Sequence, residues 1–440
     1  MTSTTDPRAA FLEAAVWHGD LKQPEALLAA HPELRSGDLH TAAVLGDDAA
    51  VRRFLALDPA SVTAKAPPFG GDPLVHLCLS NYLRLDPARS DGFLRAATAL
   101  LDAGADPNTG FRHQGEFESA LYGAAGVAHH AGMTRLLLER GADPNDEEVP
   151  YHSPEGYDNA ALEALVESGR LTADNLATML LRKADWHDGK GQAYLLEHGA
   201  NPNRMTRWGY TALHQAVRRD NALRNIEVML EHGADATLPT RQDGRSAVAI
   251  AASRGRGDLL ALFQRRGVPI ALPGVDRLIS ACARNDGSEI RAIAGTEPGL
   301  VRELLAQGAT LLAEFAGTAN AEGVGHLLDL GVPVTARYGG DGYFDIAKDS
   351  TALHVAAWKA WHEVVRLLIA RGAPVNPPDA RGRTPLMLAV KACVDSYWAN
   401  RRSPESVRML LEAGASTDGV PYPSGYAEVD ELLRRHGSVA

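Results

Sequence analysis

The sequence predicts an all-α solenoid, in which short helix–turn–helix units stack side by side. The first observation is a phrase of the form Leu-Leu-x-x-Gly-Ala-x-x-Asn that recurs along most of the 440 residues. The second is a composition that is 45% hydrophobic but only 6% aromatic, which favours closely packed helices over sheets. The third is the helical spacing of apolar residues between copies of the phrase. A fixed repeat of this kind is typical of a stacked array.

The repeated phrase marks the end of each unit. Three of its glycines, Gly199, Gly233 and Gly267, follow one another at intervals of 34 residues, and Gly267 and Gly331 belong to decayed copies. The clearest copies are "LLDAGADPN" (100–108), "LLERGADPN" (137–145), "LLEHGANPN" (195–203), "MLEHGADAT" (229–237), "LIARGAPVN" (368–376) and "LLEAGASTD" (410–418).

A second phrase marks the first helix of a unit. It reads "TALHQAV" (211–217), "TALHVAA" (351–357) and "TPLMLAV" (384–390). Leu213, Ala216 and Val217 have the i, i+3, i+4 spacing of one apolar helix face. Thr211 is suited to the N-cap, because its hydroxyl can accept a hydrogen bond from a first-turn amide.

The second helix follows after a short turn. Ile226, Val228, Met229 and Leu230 supply its apolar face, and Gly233 can adopt the left-handed conformation that ends a helix. A single unit cannot bury its own apolar face, so its neighbours must stack on it.

Together the two phrases closely resemble the ankyrin repeat, in an array of bacterial type that spans nearly the whole chain. The resemblance implies helix pairs joined by β-turn fingers, stacked into a curved solenoid of about twelve units, some of them degenerate. It also implies that His214 and His354 brace their loops, and that the concave groove binds a partner.

We expect one continuous array with decayed ends. The decayed stretches 147–175 and 273–308 are either points of flexing or subdomain boundaries. The predicted divisions are 1–66 (degenerate N-terminal capping repeats), 67–272 (repeats with inserted loops), 273–419 (the second half of the repeats) and 420–440 (a C-terminal capping helix).

Four segments are longer than the repeat requires. Long loops on a rigid scaffold are where function concentrates, although they are also where drift is tolerated. The segments are an insertion between Cys78 and Ala97, another between Val390 and Val407, a lengthening at 180–192 and a Gly-rich finger at 335–350.

Composition narrows the functional classes. The net charge of −11 argues against nucleic-acid binding, and no apolar run is long enough for a membrane span. We expect no signal peptide. Three isolated cysteines indicate a reducing, cytoplasmic setting. Phosphate-loop, zinc-protease and nucleophile-elbow motifs are absent, so no catalytic residue, cofactor or metal is predicted.

The segment "RKADWHDGKG" is the densest chemical cluster. We interpret it as a possible ligand-contacting loop with Asp185, Trp186, His187 and Asp188. A metal site is conceivable from these ligand types, although the spacing matches no established motif. A polar helix end with a packed Trp is the simpler structural interpretation.

Groove-facing positions can be derived from the resemblance, since they follow the Ala-Ala of each first helix. They are apolar in the first third of the chain, basic in the middle, and contain Trp and Lys near the end. Adding residues of the fingers and of the last insertion, the predicted partner-binding residues are Arg182, Trp208, Tyr210, Arg218, Arg219, Arg254, Arg284, Trp358, Lys359 and Trp398.

Two hypotheses of function follow. The first is a non-catalytic protein-interaction scaffold whose groove binds an acidic protein segment or an anionic ligand, because Arg recognises carboxylates and Trp and Tyr provide contact area. The second is an enzyme or small-molecule-binding protein with a Trp/Arg/Asp/His pocket closed by the variant loops. The arginines could instead form ion pairs between neighbouring units, for example with Asp220 or Asp258.

Overall fold

The structure is a computed structural model that describes residues 6–146 and 148–437. The chain divides into two compact units, the first ending at Asp235 and the second beginning at Ala236. The predicted divisions at 66, 272 and 419 remain predictions, and residues 1–5 and 438–440 of the predicted end segments lie outside the described residues.

The first unit consists of helices and one hairpin. Its two strands, β1 (Gly110–His113) and β2 (Glu116–Ser119), pair antiparallel with Phe111 opposite Glu118. Its α-helices are α1 (Pro7–Ala15), α2 (Lys22–Ala30), α3 (Leu39–Val44), α4 (Asp48–Leu57), α5 (Pro73–Cys78), α6 (Asn81–Leu85), α7 (Ser90–Asp102), α8 (Ala120–Tyr122), α9 (Ala131–Glu139), α10 (Glu148–His152), α11 (Ala160–Glu167), α12 (Ala173–Asp185), α13 (Gly189–Glu197), α14 (Ala212–Arg218) and α15 (Leu223–Glu231).

The second unit is built from helix pairs, with one long finger. Its α-helices are α16 (Ala247–Ser253), α17 (Gly257–Arg265), α18 (Gly274–Ala283), α19 (Gly287–Thr296), α20 (Pro298–Ala306), α21 (Gly308–Ala316), α22 (Ala321–Asp329), α23 (Ala352–Trp358), α24 (His362–Ala370), α25 (Pro385–Val394), α26 (Glu405–Glu412) and α27 (Ala427–Arg435).

Short turns of tighter or wider helix connect several of these elements. They are Pro32–Ser36, Pro59–Thr63, Pro87–Arg89, Gly123–Val127 and Ala399–Arg401. None of the helices in the described part of the chain is both long and apolar enough to cross a bilayer.

The all-α prediction is confirmed, and the repeated phrases form the predicted helix pairs. Leu213, Ala216 and Val217 are almost fully buried on α14, and each buried Leu or Val contributes about 1.5–3 kcal/mol. Gly233 has the predicted left-handed backbone, with φ of +83°. The prediction therefore holds where the phrases are intact.

The loop-bracing role of the two histidines is also present. The Thr211 hydroxyl accepts from the backbone N–H of His214, and the His214 ring Nδ1 accepts from the Thr211 N–H at 3.2 Å. The Thr211 hydroxyl also lies 2.8 Å from that ring nitrogen. The two ring contacts recur between Thr351 and His354, at 3.0 Å from the Thr351 N–H and 2.9 Å from its hydroxyl. Thr211 is therefore both the N-cap and the partner of the ring.

The structure confirms one of the predicted long segments and not another. The expected lengthening at 180–192 is not a loop, because α12 continues to Asp185 and α13 begins at Gly189 after a short turn. The finger at 335–350 is long, as predicted, and closes through bridges between Tyr338 and Ser350 and between Asp341 and Ile346. The hairpin of β1 and β2 was not predicted from the sequence.

The decayed stretch 273–308 contains α18, α19 and the start of α21, with α20 between them as an additional helix. The turn after α21 contacts the turn that precedes α17 and the end of α18, on the far side of α20 in sequence. Asn320 donates to the carbonyls of both Gly255 and Ala283 at 2.8 Å. The extra helix thus interrupts the two-helix pattern at the place where the phrases are lost.

Candidate functional site

A continuous series of aromatic rings runs through the first unit. Ring centroids lie 6.4 Å apart for Trp17 and Tyr122, 5.4 Å for Tyr122 and His152, 4.8 Å for His152 and Tyr151, and 5.7 Å for Tyr151 and Trp208. We call these five residues the aromatic ladder. All four separations are within the range of favourable ring pairs.

Three further rings surround Trp17 at one end of the ladder. Phe69, Phe111 and His113 each contact Trp17 edge-on, at 5.1, 5.4 and 4.9 Å. Phe69 is 41% exposed and Phe111 is buried. At this end of the ladder, part of the Phe69 ring is therefore exposed beside the buried Phe111 and Trp17.

Main-chain geometry holds Trp17 in position. It follows α1 with φ of +77°, its N–H donates to the Leu79 carbonyl at 2.7 Å, and its indole N–H donates to the Tyr122 hydroxyl at 3.2 Å. Tyr122 ends α8, while Tyr151 and His152 end α10. The buried Trp17–Tyr122 pair is the fixed base of the ladder, and Tyr151, His152 and Trp208 are half-buried.

Two predicted site residues, Arg182 and Arg219, are brought together by Asp185. Arg182 donates to Asp185 at 2.6 Å and to Glu155 at 2.8 Å, while its guanidinium lies 4.1 Å from the Tyr151 ring centre. Arg219 donates to Asp185 at 2.9 Å. Ion pairs between neighbouring helix pairs, the alternative interpretation, thus account for both arginines.

Arg218 and Arg207 have a different environment. The Arg218 guanidinium lies 5.1 Å from the centre of the Tyr210 ring, and that of Arg207 lies 4.8 Å from the Trp208 ring. Tyr210, Trp208 and Arg218 are half-buried, and Arg207 is exposed. These four residues form one arginine–aromatic patch across the finger and the end of α14.

Asp188 stabilises the fold of the segment in which it lies. Asp188 is buried, caps α13 by accepting from the Lys190 and Gly191 amides at 3.1 Å, and pairs with the fully buried Lys183 at 2.9 Å. Burial lowers the pKa of Lys183, while Asp188 opposes that shift. The geometry thus resembles the packed helix end more than a ligand-contacting loop.

Trp186 and His187 complete that turn. Trp186 is partly exposed and meets the exposed Tyr157 ring edge-on at 6.4 Å. His187 occupies the turn with φ of +54°. The two residues lie at the surface of the turn between α12 and α13.

In the second unit, several predicted groove residues are buried. Trp358 is 3% exposed and donates its indole N–H to the Phe344 carbonyl at 2.6 Å. Lys359 is also buried, with its ammonium 3.5 Å from the centre of the Phe344 ring. Arg254 is buried beside the same ring and pairs with Glu314 at 2.8 Å. The prediction that these three residues face an open groove is wrong, because the finger at 335–350 folds over them.

Trp398 connects the last insertion to that finger. Its indole N–H donates to the Trp358 carbonyl at 2.9 Å, and its ring lies 5.6 Å from Trp358 and 6.5 Å from Phe344. These rings fill the space between the two variant segments with side chains of the chain itself.

Arg284 lies in another part of the second unit. It pairs with Glu289 and lies 3.8 Å from Asp286. It lines an open cleft of about 920 Å³ formed by helix-pair turns, together with Asp258, Ser288, Asn320 and Trp361. This cleft does not include Trp358 or Trp398.

A group of carboxyl groups beside the ladder was not identified from the sequence. Burial, and then the charge of Glu148, raises the pKa of Glu118 to about 7. Burial likewise raises the pKa of Asp146 to about 6. Burial opposes a charge on His152, but its 3.0 Å contacts with Glu155 and Glu148 raise its pKa. Only the folded hairpin brings Glu118 to this position, so no sequence signal marks the group.

Comparison with known proteins gives two matches to family models. A model described as ankyrin repeats (3 copies) matches residues 278–419, and one described as ankyrin repeats (many copies) matches residues 195–251.

Three characterised proteins are similar to parts of the chain. Serine/threonine-protein kinase 12 of Arabidopsis thaliana is 39% identical over 83 residues, 19% of this chain and 16% of the kinase. Human transient receptor potential cation channel subfamily A member 1 is 25% identical over 302 residues, 64% of this chain and 23% of the channel. Human Rabankyrin-5 is 25% identical over 281 residues, 60% of this chain and 20% of that protein. The chain therefore spans less than a quarter of the length of each.

Proposed function

Because this chain is an ankyrin-repeat protein, we propose that it is a non-catalytic scaffold that binds an acidic segment of another protein. Ankyrin repeats generally mediate protein–protein interactions. We further propose a cytoplasmic setting, supported by three cysteines that are buried as free thiols.

The arginine–aromatic patch of Arg207, Trp208, Tyr210 and Arg218 carries the proposal. Trp, Tyr and Arg are the residue types that dominate binding energy at protein interfaces. A guanidinium can lie against an aromatic ring and can donate two parallel hydrogen bonds to a carboxylate. An acidic side chain on the partner suits such a guanidinium.

The neighbouring Arg219 serves as the matched comparison. Its guanidinium donates to Asp185, whose side chain is almost buried, so we assign Arg219 to folding. We place partner contact at Arg218 because its guanidinium lies over Tyr210 within the half-buried arginine–aromatic patch.

The experiment is a quantitative pull-down with two single variants, Arg218→Glu and Arg219→Glu. We expect Arg218→Glu to lower partner recovery at least tenfold, about 1.4 kcal/mol, while the free energy of unfolding changes by less than about 0.5 kcal/mol. We expect Arg219→Glu to destabilise the fold by about 1–3 kcal/mol, because it sets a carboxylate against Asp185.

Comparing Arg218→Glu with Arg219→Glu separates loss of binding from loss of stability. Undiminished recovery with Arg218→Glu would rule out the patch as the contact. Inorganic phosphate and an acidic peptide are also tested as competitors for partner recovery. Equal competition by the two would indicate that the patch binds a small anionic ligand and not a protein segment.

A further inference from the structure

A buried carboxylate oxygen without a hydrogen bond lies beside the aromatic ladder of the first unit. Glu118 is 5% exposed on β2, and its Oε2 accepts no hydrogen bond from any described residue. Buried polar atoms are nearly always paired, so an orphan of this kind calls for an explanation. A charged oxygen left unpaired inside a protein is costly unless a cation reaches it.

The groups around Glu118 are mostly acidic. Glu148, Asp146 and Glu116 all act to raise its pKa, and only His152 acts in the opposite direction among its main neighbours. His152 is itself held between Glu148 and Glu155, at 3.0 Å from each. His152 and Arg182 thus serve Glu148 and Glu155, whereas Glu118 Oε2 has no hydrogen-bond partner among the described residues.

Aromatic rings of the ladder border this acidic group. Tyr122 meets His152 edge-on at 5.4 Å, and burial and then the charges of Glu118 and Glu148 raise the pKa of Tyr122. Trp17, with the exposed Phe69 beside it, lies next along the ladder. Aromatic faces attract cations and pack against the methylene stems of Lys and Arg. Rings next to a buried carboxylate are the environment that a basic side chain prefers.

We propose that the aromatic ladder binds an extended segment of the partner protein, and that a Lys or Arg of this segment is bound by Glu118 and Glu148. This inference rests on the proposed function, because it adds a second contact for the same partner. The acidic part of the segment lies at the arginine–aromatic patch beside Trp208, and the basic part lies farther along the ladder, beside His152 and Tyr122. A nucleic-acid strand is disfavoured here, because its phosphates would meet the carboxylates.

The test uses synthetic probes and the full chain. Fluorescein-labelled peptides of alternating Pro and Lys, alternating Pro and Glu, and alternating Gly and Ser are titrated with the protein at 150 mM salt, and anisotropy is measured. We expect the Lys peptide to bind the wild-type chain at least tenfold more tightly than the Gly–Ser peptide.

Two glutamates on the same strand give a matched pair of variants. Glu118→Gln should weaken binding of the Lys peptide at least fivefold, because a glutamine amide cannot ionise to pair with the bound cation. Glu116→Gln removes an exposed charge two residues away on β2, the weakest of the three carboxyl influences on Glu118, and should change affinity less than twofold. Circular dichroism at 222 nm confirms that both variants are folded.

Equal effects of Glu118→Gln and Glu116→Gln would overturn the inference, as would the same affinity for the Lys and Gly–Ser peptides. Its failure is separable from failure of the proposed function. Loss of the Lys contact alone leaves the effect of Arg218→Glu on partner recovery intact, whereas failure of the patch appears in the pull-down and leaves the effect of Glu118→Gln on the Lys peptide unchanged.

Discussion

Adjacent residues of the same type have different roles in this chain. Arg218 and Arg219 follow one another at the end of α14, yet Arg219 donates to Asp185 on α12 and Arg218 lies over the Tyr210 ring. Asp185 lies on the preceding helix pair. The sequence alone therefore does not show that Asp185 pairs with Arg219, and the stacking of α12 on α14 does. Identical charges in sequence are therefore divided between folding and the proposed binding surface.

The buried Glu118 gives a prediction about pH. Its pKa is raised to about 7 in the folded chain, against about 4.3 when unfolded. The folded state thus holds this proton more tightly, and the associated stability is fully present below about pH 4 and is lost as pH rises through 7. We expect the Tm of the wild type to fall more steeply between pH 5 and 8 than that of Glu118→Gln.

Thermal denaturation at pH 5, 6, 7 and 8 measures this difference. Glu116→Gln, on the same strand, should follow the wild-type curve. Parallel curves for the wild type and Glu118→Gln would mean that the Glu118 carboxyl titrates at its ordinary pKa.

At the scale of elements, two insertions that are distant in sequence form one packed structure. The finger at 335–350 contributes Phe344, and the segment after α25 contributes Trp398, which both pack on Trp358. From the sequence, each insertion was interpreted as a separate variant loop. Their contact follows from the length of the finger, which reaches across the ends of α23 and α25.

Truncation of Trp358 tests this packing. Trp358→Ala should reduce the free energy of unfolding by about 3–5 kcal/mol, because it removes a buried ring and leaves a cavity. Tyr397, next to Trp398, is 94% exposed, so Tyr397→Ala should cost less than about 0.5 kcal/mol. Urea denaturation followed by circular dichroism measures both. A loss under 1 kcal/mol for Trp358→Ala would contradict the buried position.

Elements that carry the repeat phrases could be predicted from the sequence, and the others could not. α14 and α15 follow directly from the spacing of Leu213, Ala216 and Val217 and from the glycine that ends the second helix. The hairpin of β1 and β2 carries neither phrase, and α10 lies in a decayed stretch. Glu118, Tyr151 and His152 are on these elements, so the sequence did not identify them, whereas it did identify Trp208, Tyr210 and Arg218 of the arginine–aromatic patch.

The same reasoning explains the buried residues of the second unit. The rule that positions after Ala-Ala face an open groove assumes a short finger. Trp358 and Lys359 obey the helix register, but the long finger covers them and turns groove positions into core. The helix register predicts the direction in which a side chain points. Whether that side chain is exposed depends on the other segments that pack against it.

At the scale of the molecule, the predicted arginines are distributed over both units. Arg182, Arg218 and Arg219 lie before residue 235, whereas Arg254 and Arg284 lie after it. Arg182, Arg219, Arg254 and Arg284 each pair with a carboxylate of their own unit. The net charge of −11 therefore disfavours polyanions as partners, while a protein segment of mixed charge suits the first unit.

The central claim is that a partner protein contacts the first unit at the arginine–aromatic patch, and site-specific photo-crosslinking tests it most directly. A photoreactive phenylalanine analogue replaces Tyr210 in one sample and the far more exposed Tyr397 in another, in cells that produce the chain. We predict a crosslinked partner from position 210 that is lost on Arg218→Glu, and none from position 397. A crosslink from 397 alone, or one from 210 that survives Arg218→Glu unchanged, would contradict the account.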